Sequence, residues 1–250
     1  MNQRYNHFLL TSFYASLEET FHIFEKEKFR FCSLEDIAMI RSTSLDDKIN
    51  FAGFCYEGNV LMNEGILCLP GNPPKAKLIK KSTLLHPETE YIPEKGIVIG
   101  LPRITKNIED KSSLSGAEYL QRVKREFEIS NFYPTKEQII RAVKESVNFP
   151  VGEENQIISI LAKDFDKDEL TVFAFGGKKT AAGYGRELIK SGLNEIIIKP
   201  EDREVINMFE KPFVKQILYG MDKKTLTMQL SSTFLFLKSG HNIYGVKEIK

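Results

Sequence analysis

One stretch constrains this chain more than any other. The segment FAFGGKKTAAGYGREL, residues 173–188, brings Gly176, Gly177, Gly183 and Gly185 into one short run. Glycine frees the backbone to turn sharply and to approach a ligand closely. Successive N–H groups in such a turn can form a nest for an anion. Lys178, Lys179 and Arg186 add positive charge beside it, Thr180 adds a hydroxyl, and Tyr184 offers an aromatic face on which a base can stack. The preceding LTVFAF, residues 170–175, is apolar and β-branched in the manner of a buried strand. The expected unit is a strand followed by a glycine-rich, phosphate-contacting loop. A glycine-rich turn with solvated lysines is the competing reading.

Known phosphate loops do not match. A P-loop needs Lys-Ser/Thr after its last glycine, and neither Gly183 nor Gly185 is followed that way. A dinucleotide fingerprint needs G-x-G-x-x-G opening a helix, and the spacing here is different. An acyltransferase pyrophosphate loop would put its arginine or glutamine at Thr180 and leave only RELIKS as its helix. An acyl-coenzyme A-dependent transferase is therefore a minor alternative.

Charge decides how a polyanion could be held. The 250 residues contain 35 Lys and Arg against 34 Asp and Glu, a formal net charge of +1. Bulk positive charge cannot drive binding, so any basic surface must be local. Residues 211–250 hold seven lysines against Asp222 and Glu248, a local excess of five, and acids gather between Glu153 and Glu169. Hydrophobic residues at 42% exclude a disordered or collagen-like chain. Cys32, Cys55 and Cys68 form neither a CxxC pair nor an even framework. Reduced thiols in a cytoplasmic protein are expected. The N-terminus does not read as a signal peptide, and no apolar run approaches a bilayer span.

Along the chain, residues 6–14 read as a strand, Leu17 to Phe29 as a helix, and SLEDIAMIRS from Ser33 as a second amphipathic unit. Residues 50–69 read as short strands broken at Gly58-Asn59 and Glu64-Gly65. The segment PGNPPKAKLIKK, residues 70–81, reads as an exposed basic loop carrying Lys75, Lys77, Lys80 and Lys81. GIVIGL, residues 96–101, reads as a strand leading to Arg103 and Lys106. Helices are expected from Ser115, from Thr135 and over residues 153–165. The last quarter is expected to be mostly β, with a short helix over residues 201–213.

The motif from Gly176 to Arg186 resembles the glycine-rich loop of the RAMP superfamily, the repeat-associated proteins of CRISPR systems. The order of elements is similar to the subunit that holds the CRISPR RNA 5′ handle in type III effector complexes. The His-x-Gly motif of the repeating backbone subunits is not found. The resemblance implies an α+β fold of two ferredoxin-like (RRM-like) domains with antiparallel sheets, residues 1–110 and 111–250. It implies a non-catalytic CRISPR RNA-binding subunit, active in antiviral defence, that docks on a large polymerase-like subunit and on backbone RAMP subunits. The RNA would be held by Gly176, Gly177, Lys178, Lys179, Thr180, Gly183, Tyr184, Gly185 and Arg186, with Lys75, Lys77, Lys80, Lys81, Arg103 and Lys106.

No catalytic site, metal or cofactor is expected. His7, His22, His86 and His241 form no metal-ligand spacing. Asp164, Asp166 and Asp168 lack the glycine and terminal glutamate of a calcium loop. A repeat-cleaving RAMP endoribonuclease is the main alternative, because a metal-independent ribonuclease can use a histidine with a lysine or tyrosine.

Overall fold

The computed structural model describes residues 2–5, 8–15, 17–43, 52–62, 75–79, 144, 146–153, 155–208, 212–222, 227–233 and 241–249. The strands are β1 (Asn2–Tyr5), β2 (Phe8–Ala15), β3 (Arg30–Phe31), β4 (Ala52–Met62), β5 (Lys75–Ile79), β6 (Ser146–Phe149), β7 (Val151–Gly152), β8 (Ile158–Leu161), β9 (Glu195–Ile198), β10 (Glu201–Asp202), β11 (Phe213–Asp222), β12 (Thr227–Thr233) and β13 (His241–Glu248). The helices are α1 (Leu17–Glu27), α2 (Leu34–Thr43), α3 (Glu169–Ala174), α4 (Lys178–Lys190) and α5 (Arg203–Asn207).

Eleven strands form one sheet whose main path runs β1-β2-β13-β4-β11-β12-β9-β8, with β5 and β6 joined through β4 and β3 on β13. Most pairs are antiparallel, while β13–β4 and β12–β9 are parallel. This corrects the expected fold class. Two ferredoxin-like domains would each close a sheet of their own. Here β13 lies between β2 and β4, and β4 continues into β11, so strands distant in sequence share one ladder.

The sheet buries both faces. On one, α1 packs through Phe24 against Phe13, Phe29 and Phe31, with edge-on ring contacts to Phe13 and Phe31 at centroid distances of 5.5 and 5.0 Å. On the other, α2, α3 and α4 cover Cys55, Leu61, Ile217, Tyr219, Leu230, Ile196 and Ile198. Alternate residues of β9, β11 and β12 point to that core, which is the period a half-buried strand requires.

Several local expectations are corrected. Residues 58–59 lie inside β4 rather than in a turn. A register shift opposite Gln216–Leu218 leaves carbonyls to satisfy, and the Gln216 amide donates to the carbonyls of Cys55 and Glu57. Lys75 and Lys77 are not in an open loop. They alternate with buried Ala76 and Leu78 along β5, held between β4 and β6. The helix expected over residues 153–165 is instead strand β8 followed by a single 3-10 turn, Ala162–Asp164. The strand and helices expected at residues 96–101, from Ser115 and from Thr135 fall outside the described residues, apart from Lys144.

The glycine-rich segment changes most. LTVFAF is helical because Asp168 caps α3, accepting from Thr171 N at 2.8 Å, while the Thr171 hydroxyl donates to the Phe165 carbonyl at 2.7 Å. Leu170, Thr171, Ala174 and Phe175 are buried, at helical spacing. A turn at Gly176 and Gly177, with φ of 83° and 111°, then leads into α4.

Candidate nucleic-acid interface

Helix α4 has two unlike sides. Ala181, Tyr184, Gly185 and Leu188 recur at i, i+3, i+4 and i+7 and are buried. Gly185 is fixed by sterics, since a Cβ there would lie 2.1 Å from the Ala162 carbonyl oxygen. The absent side chain lets α4 press against the turn after β8. Tyr184 has 0% exposure, and its hydroxyl sits 2.7 Å from that of Tyr219. Arg41 from α2 also hydrogen-bonds the Tyr184 hydroxyl. Burial pushes both phenols up, Tyr219 well above its usual value. The ring of Tyr184 packs against Phe175 with centroids 4.9 Å apart, so it presents no free face to a base.

The opposite side is basic. Lys179, Arg186 and Lys190 are spaced by seven and four residues, which places them within about 40° of one another around the helix. All three are exposed, and Lys178 flanks them. Lys190 pairs with Glu187 at 2.7 Å, a surface ion pair of small energy. Lys178, Lys179 and Arg186 make no ion pair with any described residue. Thr180 is half-buried at the first turn, and Gly183 lies on the outer half of the helix, facing the Ser42 hydroxyl of α2.

The glycine N–H groups of the expected nest are already committed, Gly176 N to the Phe173 carbonyl and Gly177 N to the Val172 carbonyl. Gly176 lies against Glu35 of α2, whose Cδ is 2.5 Å from where a Gly176 Cβ would stand. Glycine here admits a carboxylate of the same chain. Gly177 has no side-chain cap and open space where its own Cβ would be. The basic surface that stays exposed is the outer face of α4.

The remaining predicted cations are dispersed. Lys75 and Lys77 lie on β5, between β4 and β6. Partial burial and neighbouring Lys75 lower the Lys77 pKa. Lys80, Lys81, Arg103 and Lys106 lie outside the described residues. Of the C-terminal lysines, Lys215 is only 14% exposed and donates to Glu201 at 2.6 Å. Lys247 donates to the Glu27 carbonyl at 3.0 Å and lies over the Phe29 ring. Both contribute to the fold.

Sequence reasoning missed the cluster around Glu201. This carboxylate, 1% exposed, accepts from Asn59 at 2.6 Å, from Lys215 and from the Ser232 hydroxyl. It fastens the β10–α5 segment to β4, β11 and β12. Asn59 Oδ1 is buried without a partner among the described residues. Asn59 and Lys215 are paired across β4 and β11, a proximity that no local sequence pattern announces. Among the described residues no group of three metal-ligating side chains gathers, and no helix is long and apolar enough to cross a membrane.

No family model matches the chain, and no curated protein does. A solved structure described as "Accommodation of massive sequence variation in Nanoarchaeota by the C-type lectin fold" is similar over 98% of this chain and 100% of its own, at 10% identity and a TM-score of 0.49. A likeness at that level carries no argument about function. The resemblance to RAMP proteins is corrected here. The motif that carried it is a turn and a helix packed on one eleven-stranded sheet, not a loop within a ferredoxin-like domain.

Proposed function

We propose that this chain binds the phosphate backbone of single-stranded RNA through the outer face of α4, without cleaving it. One observation carries the reading: Lys178, Lys179 and Arg186 are exposed beside one another and no described residue neutralises them. An unpaired basic stripe keeps its field for a mobile polyanion, whereas Lys215 spends its charge on Glu201. With Tyr184 buried, recognition is electrostatic and indifferent to base identity.

Titration of labelled single-stranded RNA at several salt concentrations tests this. Each phosphate contact on a single strand contributes about 0.7 to the slope of log affinity against log salt. The K178A/K179A/R186A variant should therefore bind at least about tenfold more weakly, with a slope shallower by about 2. Equal affinity and slope in parent and variant would refute the assignment.

A further inference from the structure

The edge strand β8 is unusual in what it lacks. Residues 156–162, QIISILA, carry no charge and no proline. Ala162 N donates to the Asn194 carbonyl at 2.8 Å, and β8 pairs antiparallel with β9 as Ile160↔Ile196 and Ile158↔Ile198. Hydrogen-bonded pairs alternate along such a ladder. The N–H and C=O groups of Ser159 and Leu161 therefore point away from β9, and no described strand meets them. Edges of this kind are normally blunted, because they template pairing with another strand. The other edges are: β1 reads NQRY, and β6 runs into Pro150 with α3 against it. On the outward side, Ile157 just before β8 is 62% exposed and Leu161 43%, while exposed Ser159 between them donates its hydroxyl to Glu195.

We infer that β8 pairs antiparallel with β8 of a second copy of this chain, centred on Ser159, continuing the sheet across a two-fold axis. The sequence is self-complementary about that residue. Pairing Ser159 with the partner's Ser159 sets Ile157 opposite the partner's Leu161, and the converse, so each exposed apolar side chain covers the other. Flanking charges agree. Exposed Glu153 precedes the strand and exposed Lys163 follows it, so the antiparallel run brings Glu153 to the end where the partner's Lys163 lies. This inference does not depend on RNA binding, since the basic stripe of α4 is not part of the pairing.

Sedimentation of the intact protein over a wide concentration range reads the association directly. The mass should rise from 28.7 kDa towards twice that value. The I157K/L161K variant places like charges opposite each other and should weaken association at least about tenfold. Register is read by cysteine cross-linking in a Cys68→Ser background. A hydrogen-bonded cross-strand pair is about 5.5 Å apart at Cα, within disulfide reach. Ser159→Cys should give a covalent dimer under mild oxidation, and Ile157→Cys alone should not. A protein that stays monomeric at every concentration, with no Ser159→Cys cross-link, overturns the inference. Cross-linking through Ile157→Cys in place of Ser159→Cys overturns the register.

Discussion

The N-termini of α2 and α4 solve one problem in opposite ways, although the two helices pack together. Every helix start leaves backbone N–H groups without intrahelical partners. At α2 side chains close the end. Ser33 and Asp36 form a reciprocal box, with Asp36 N donating to Ser33 Oγ at 3.0 Å and Ser33 N donating to Asp36 Oδ2 at 2.8 Å. Arg30 grips the same carboxylate with two N–H groups. Buried Glu57 accepts from Leu34 N with both oxygens at 3.0 Å. At α4 there is no side-chain cap, only two glycines at positive φ and two exposed lysines. The first end is secured by buried charge, while the second is set by backbone conformation and keeps its own charges outside. Negative groups suit a helix N-terminus and positive ones do not, so Lys178 and Lys179 are not placed there for helix stability.

Three measurements press on that contrast. Asp36→Ala removes the box and leaves Arg30 without its carboxylate, and should cost about 3 kcal/mol in urea unfolding. A cost below about 1 kcal/mol would mean that α2 is held by packing alone. Gly177→Ala meets no atom within 4 Å, yet its φ of 111° strains any side chain. A loss of about 2 kcal/mol is expected by the same measurement, from strain without any clash. Unchanged stability would show that the turn can relax. Lys178→Ala with Lys179→Ala should leave stability within about 0.5 kcal/mol, because neither makes an ion pair with a described residue. A larger loss would make these lysines part of the fold and remove the reason for assigning them to RNA.

How far the sequence disclosed this molecule can be followed residue by residue. The strand from Phe8, the helix from Leu17 and the unit starting at Ser33 are legible, because capping residues and apolar spacing agree there. The later strands β9, β11, β12 and β13 follow from their apolar runs, whereas the helix expected over residues 201–213 is only Arg203–Asn207, preceded by β10 and followed by β11 from Phe213. Residues 170–190 mislead. Their β-branched run suits a strand, and the glycines suit a loop, but the 181, 184, 185, 188 spacing is helical and Asp168 is an N-cap. Propensity lost to a cap and to burial. Tyr184 illustrates the limit at the candidate site: its neighbour in space is Tyr219, thirty-five residues away, and no local pattern announces that pair. Glu201 reaching Asn59 across 142 residues is beyond local reading for the same reason. The exposed side of α4 is the part of the site that could be read, since Lys178, Lys179 and Arg186 are cations whichever way the backbone runs.

The position of β13 sets a timetable. Its residues pair with β2 along the whole of His241–Glu248, and Ile243 also meets Phe54 of β4. A ribosome making this chain releases β2 and β4 long before the strand that must stand between them. Until then β1 is the only described strand that pairs with β2, and its other edge waits open for more than 220 residues of synthesis. Contacts of such long range slow folding and leave strand edges exposed meanwhile. Nascent chains halted before residue 241 should therefore lean on chaperones far more than chains a few residues longer.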